Sequence, residues 1–171
     1  AVGWWKADGT TADEVSGNSG TLLGGATYTE GKSGQAFDFD GINDTVRIPN
    51  SPIFEPTTLT IETWVKSSSS PGSYRYIVAK GTNDTFASSY ALYTGVAGGL
   101  SFYIYDGASQ IVFSPDAGVG VWDGNWHHIA GTYDGSQVRL FVDGAEVGSG
   151  TPTSIAIGYS LPDGNDLYFG S

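Results

Sequence analysis

Two Asp-Gly dipeptides, Asp134-Gly135 and Asp143-Gly144, lie close together near the end of a 171-residue chain, each between runs with alternating apolar and polar residues. Asp-Gly suits a two-residue hairpin loop, whose central positions favour positive φ; Gly adopts it freely and Asp tolerates it. Residues 126–148 are therefore expected to form a three-stranded antiparallel meander.

The rest of the chain extends the pattern. Gly or Pro interrupts nearly every stretch long enough for a helix, and no window sustains apolar spacing at 3.6. Period-two runs recur instead at 2–6, 35–39, 45–48, 59–66, 74–79, 90–93, 100–105, 110–113, 126–133, 138–142, 145–147, 154–157 and 167–169. Such a series predicts an all-β protein, a two-sheet antiparallel jelly-roll sandwich with almost no helix. In "LTIETWVK", Leu59, Ile61, Thr63 and Val65 point to one face, the core, while Thr60, Glu62, Trp64 and Lys66 point to the other. An indole on that outer face needs either a covering loop or a binding role. The Ser-rich "SSSSPGS" at 67–73 reads as a connection from one sheet to the other.

Charge narrows the partners. With 18 acidic against 7 basic residues, a formal net charge of −11 opposes binding to nucleic acid and to anionic membranes. No apolar run approaches the ~20 residues of a membrane span. The absence of cysteine excludes disulfides and thiolate chemistry. Of the acids 13 are Asp, many in turns where oxygens converge, which suits calcium.

Catalytic patterns are weak. Glycoside hydrolysis usually needs two carboxylates flanking the sugar, whereas Glu62 has Thr60, Trp64 and Lys66 as same-face neighbours and reads as a surface partner for Lys66. The serines lie mostly in turns without a nucleophile elbow. His127 and His128, adjacent on a strand, face opposite sides of the sheet and cannot chelate one ion together. A lyase using Tyr with Arg or His stays open as an alternative.

The loop "TADEVSGNSGTL" at 11–22 gathers Asp13, Ser16 and Asn18 around Gly17 and Gly20. Taken alone, it fits a hydrogen-bonded Asx turn as well as a calcium site. "FDFDGINDTV" at 37–46 adds Asp38, Asp40 and Asp44.

These segments, followed in order by "LTIETWVK", "IVAKG" and "DGNWHHIAGTYDGSQVRLFVDGAEVGSG", resemble the concanavalin A-like, laminin-G-type (LamG-like) jelly-roll domains of secreted prokaryotic proteins. The resemblance implies one domain over 1–171, an extracellular or cell-surface location, and noncatalytic binding of a glycan or another surface molecule. It also implies one structural Ca2+, with Asp13 and Asn18 matching the loop that supplies its oxygens. Ser16 and Gly20 are further candidates from that loop, and the surroundings of Asp40 would complete the shell. Candidate sugar-binding rings are Tyr74, Tyr76, Tyr103 and Tyr105, with Arg75, Asn83, Asp84 and Asp106 as polar partners.

In such domains a further strand usually follows the "YFGS" position and returns to pair near the N-terminal strand. Its absence here leaves three expectations: a fragment, an edge completed by a neighbouring subunit or domain in a surface filament or oligomer, or a locally blunted edge.

Overall fold

The computed structural model describes residues 1–81, 88–161 and 164–170. Among the described residues fourteen short strands follow one another: β1 (Thr21–Leu23), β2 (Thr27–Glu30), β3 (Gln35–Asp38), β4 (Thr45–Ile48), β5 (Leu59–Val65), β6 (Tyr76–Lys80) and β7 (Tyr90–Thr94). Then come β8 (Leu100–Tyr105), β9 (Ile111–Phe113), β10 (His127–Tyr133), β11 (Gln137–Val142), β12 (Ala145–Glu146), β13 (Thr151–Pro152) and β14 (Leu167–Phe169). The only helical elements among the described residues are single 3₁₀ turns at Pro52–Phe54 and Val119–Val121.

The strands form two facing antiparallel sheets. One has seven strands in the order β1-β4-β14-β6-β7-β8-β9; the other runs β12-β11-β10-β5, with β13 also paired to β11. β2 and β3 make a separate hairpin. Val46, Ile48, Leu92, Leu100, Phe102 and Ile104 of the larger sheet meet Ile129, Val138 and Leu140 of the smaller in one buried core. Alternation produces this division: on β4, Val46 and Ile48 are buried while Arg47 between them is exposed.

The meander forms as expected, with β10, β11 and β12 consecutive in one sheet. Asp143 (φ 50°) and Gly144 (φ 81°) adopt the two left-handed conformations of its second turn. The Ser-rich segment does join β5 of the smaller sheet to β6 of the larger. Two expected strands do not form. The 2–6 run makes only an isolated bridge, Trp5 to Asp13, and 154–157 lies outside the sheets, β13 pairing instead at 151–152. β1 and β2, which the sequence reading passed over, are only three and four residues long, too short for alternation to stand out.

Among the described residues β5 pairs with β10 alone and is therefore a sheet edge. Its core-facing Leu59, Ile61 and Val65 are half-buried, whereas Ile129 on β10 is fully buried.

Candidate functional site

The larger sheet carries rings on its outer face. Cross-strand pairing aligns Arg47, Tyr168, Ala79, Ala91, Tyr103 and Phe113 in one row across six strands. Tyr76 and Tyr93 pair in the neighbouring row. Tyr76–Tyr93, Tyr93–Tyr103 and Tyr103–Phe113 have ring centroids 6.0, 5.0 and 5.5 Å apart, so the aromatics form a continuous band.

This arrangement divides the expected ligand residues. Tyr76 and Tyr103 are buried within the band. Tyr74 stands at one end of the face, 51% exposed, with φ 59°. A bulky side chain rarely adopts that conformation; here the Tyr74 amide donates to the Thr94 carbonyl (2.9 Å) and the Arg75 amide to Thr94 Oγ1 (2.8 Å), which hold it. Tyr105 and Asp106 lie at the other end, where Asp106 Oδ1 accepts the amides of Ala108, Ser109 and Gln110 and holds the β8–β9 turn. Those three amides keep its carboxyl below the usual range. Asn83 and Asp84 lie outside the described residues. Tyr93 and Phe113 lie in runs that were read as strands, 90–93 and 110–113, but alternation alone does not say which residues of neighbouring strands meet on the outer face.

Burial, with Tyr76 nearby, pushes the Tyr93 phenol up to about 12, and burial raises Tyr103 further still. Both are neutral hydroxyls at physiological pH.

The 11–22 loop closes on itself. Asp13 Oδ1 accepts the amides of Trp4 (2.9 Å) and Val15 (3.0 Å). Its Oδ2 accepts the amides of Ser16 (3.2 Å) and Asn18 (3.1 Å) and the Ser16 hydroxyl (2.5 Å). Burial raises the Asp13 pKa, yet the Ser16 hydroxyl and these amides outweigh it and bring the carboxyl to about 2. Ser16 Oγ also accepts the Asn18 amide group (2.7 Å), the Asn18 carbonyl accepts the Trp5 indole N–H (3.1 Å), and the Gly20 carbonyl accepts the Thr11 hydroxyl (2.6 Å). Donor hydrogens occupy the directions a cation would need, so Asp13 with Ser16, Asn18 and Gly20 does not fit a calcium shell.

The 37–46 segment differs. Asp40 Oδ1 accepts its own turn's amides from Ile42 and Asn43. Asp44 is 5% exposed; its Oδ2 accepts the Asp40 amide (3.0 Å), while its Oδ1 is buried with no hydrogen-bond partner. A Cβ placed on Gly25 would lie 3.1 Å from that oxygen, so the glycine leaves space beside it. An orphaned buried carboxylate oxygen with room next to it supplies one ligand for a hard cation; among the described residues no cluster of three acidic or histidine side chains joins it, so the rest of a shell would come from backbone carbonyls and water.

The histidines face opposite sides, as expected: His127 opposes Val65 and His128 opposes Trp64. His127 lies between Asp143 (Nδ1···Oδ2 2.7 Å) and Asp123 (Nε2···Oδ1 3.1 Å). Glu62 approaches His128 (3.4 Å), not Lys66. Positions four apart on a strand are ~13 Å apart, whereas His128 lies diagonally across the ladder.

Sequence reasoning gave no sign of Lys80, whose side chain is fully buried. Its ammonium donates to Asn50 Oδ1 (2.8 Å) and the Asn165 carbonyl and lies 3.6 Å from Glu55; burial lowers its pKa. It ties the β4–β5 connection to the β13–β14 connection at one end of the sandwich, a role that only the tertiary fold reveals.

The sequence profile Laminin_G_3, of the concanavalin A-like lectin/glucanases superfamily, matches residues 39–171. No curated protein sequence matches the chain. Among solved structures, domain 4 of AbnA, an extracellular GH43 arabinanase from Geobacillus stearothermophilus solved in complex with arabinotriose, aligns at TM-score 0.69 with 17% identity. The alignment covers 95% of this chain and 79% of that one. The CBM40 of the Ruminococcus gnavus IT-sialidase aligns at TM-score 0.48 with 18% identity, over 66% of this chain and 63% of that one. The carbohydrate-binding module CBM66 from Bacillus subtilis aligns at 0.46 with 13% identity, over 88% and 87%. The profile match and the two-sheet jelly-roll architecture place this chain in the concanavalin A-like lectin/glucanase superfamily.

Proposed function

We propose that this chain is a noncatalytic carbohydrate-binding module that works outside the cell. The observation that carries the reading is an architecture shared over nearly the whole chain with an arabinanase domain solved with a bound oligosaccharide. The disposition of acids supports it. Among the described residues, the strands of the two large sheets carry only two carboxylates, Glu62 and Glu146, on β5 and β12 at opposite edges of the smaller sheet. Three strand spacings, ~14 Å, exceed the ~5–9.5 Å separation of glycosidase carboxylates. The raised pKa values of Tyr93 and Tyr103 also make them poor bases for a lyase. A glycan array probed with and without calcium tests the reading: binding to at least one saccharide supports it, and a blank array from folded protein overturns it.

Calcium belongs to the same proposal, with Asp44 rather than Asp13 as its carboxylate ligand. The ion would neutralise a buried charge and anchor the 40–44 turn.

The β5 edge favours a second reading, in which a neighbouring subunit or domain adds a strand there. Seven residues in continuous register, without Pro or bulge, leave backbone groups and half-buried Leu59, Ile61 and Val65 open to an added strand. Sizing chromatography with mass determination tests it: concentration-dependent association supports this reading, and a monomer at every concentration removes it.

A further inference from the structure

Four basic side chains lie near a carboxylate, one of them, Lys6, also 4.7 Å over the Trp4 ring. Lys6, Arg47, Lys80 and Arg139 lie 3.9, 2.5, 3.6 and 3.4 Å from Glu14, Asp166, Glu55 and Glu146. Lys32 and Lys66 have no carboxylate within 4.0 Å among the described residues. Each lies over an indole instead: Lys32 Nζ is 4.9 Å from the Trp64 ring centroid and Lys66 Nζ 5.9 Å from that of Trp126.

Register brings both pairs to one place. Trp64 opposes His128, so with a period of two Lys66 and Trp126 continue the same outer face of the smaller sheet one step beyond the ladder. Trp64 is 44% exposed, and the His128 ring meets it edge-on at 5.4 Å. Lys32 arrives from the turn between β2 and β3, which the Gly31 amide closes on the Gly34 carbonyl (2.9 Å) and Asp8 holds by accepting the Gln35 amide (2.8 Å). A fixed turn thus carries an ammonium to an exposed indole on another sheet.

We propose that the Lys32–Trp64–Trp126–Lys66 patch binds an acidic saccharide, a uronic acid residue whose carboxylate pairs with the two ammonium groups while its ring lies against the indoles. The inference rests on the carbohydrate-binding reading and names the sugar class. A neutral sugar stacking on these rings would have to displace the cations already there, whereas an anionic one gains charge-assisted hydrogen bonds from the same cations. Glu62, two residues before Trp64 on the same face of β5, lies 3.4 Å from His128. The chain's net charge of −11 opposes anions at a distance, but screening over ~8 Å at physiological ionic strength leaves the local ammonium groups dominant.

The test is an NMR titration of the folded domain with a galacturonic acid trisaccharide, and with a neutral galactose trisaccharide as control, following the five indole N–H signals. The proposal expects the acidic probe to shift the Trp64 and Trp126 signals and to bind at least tenfold more weakly to Lys32→Gln and Lys66→Gln. Both substitutions remove the charge from an exposed side chain, leave a polar one shorter by one atom, and leave the core untouched; unchanged spectra elsewhere verify folding. Equal binding by the variants, or shifts confined to the Tyr74–Tyr105 face, overturns the patch. If the protein binds neutral but not acidic saccharides, the inference falls and the broader reading survives. If an array finds no saccharide at all, both fall.

Discussion

His127 Nδ1 lies 2.7 Å from Asp143 Oδ2, and the other oxygen of the same carboxylate accepts the His128 amide at 2.9 Å. One aspartate at the β11–β12 turn thus fixes both the imidazole and the backbone at the start of β10, while Asp123 engages the far ring nitrogen. Asp143 first, then Asp123, raises the His127 pKa above its ordinary value. A raised folded-state pKa means stabilisation that is complete below the unfolded value of about 6.5 and lost as pH rises through the folded one. The melting temperature should therefore fall above pH 6.5, and His127→Gln should flatten that dependence at a cost of about 1 kcal/mol or less at pH 6. Thermal melts of both proteins from pH 6 to 9 check this; parallel curves would contradict it.

Asp13 predicts the opposite pH dependence. With its carboxyl held at about 2, its contribution is present above the unfolded value near 4 and lost as pH falls through about 2. Asp13→Ala strands the amides of Trp4, Val15, Ser16 and Asn18 and should cost ~2 kcal/mol at neutral pH. Urea unfolding of wild type and variant at pH 7 and pH 2.5 measures both effects; the difference between them should shrink at the lower pH.

Gly131 on β10 faces Phe102 across the core, and an added Cβ would come within 2.4 Å of the Phe102 ring. Packed cores resist such overfilling, so Gly131→Ala should destabilise by about 1–3 kcal/mol. A chemical denaturation midpoint unchanged from wild type would show that the sheets can separate there.

Asp44 offers the discriminating calcium variant. If Ca2+ binds its orphaned oxygen, calcium should raise the melting temperature of wild type and a chelator should reverse the rise, by mass action on the folded state. Asp44→Asn should abolish that response, whereas Asp13→Asn should retain it. A calcium response that disappears with Asp13 and persists without Asp44 would return the ion to the 11–22 loop.

The fold was readable wherever local chemistry and alternation agreed. The ranges of β4, β8 and β14 came directly from period two, and the meander from its Asp-Gly turns. Residues 2–6 alternate just as well but form only a bridge, because pairing depends on a neighbouring strand that alternation cannot supply. The site was less readable. Asp13, Ser16 and Asn18 do converge as the loop suggested, but composition cannot distinguish oxygens aimed at a cation from oxygens aimed at amides. That Trp64 points to the outer face was evident from strand parity; that it stands largely open there, with Lys32 of a distant hairpin above it, was not.

A noncatalytic module binds sugar without turning it over. Isothermal titration of the purified domain against a panel of neutral and acidic oligosaccharides, followed by chromatography of each mixture, tests it most directly. Saturable heat is expected for at least one oligosaccharide, which is then recovered intact. No binding across the panel, or release of shorter products, would contradict it.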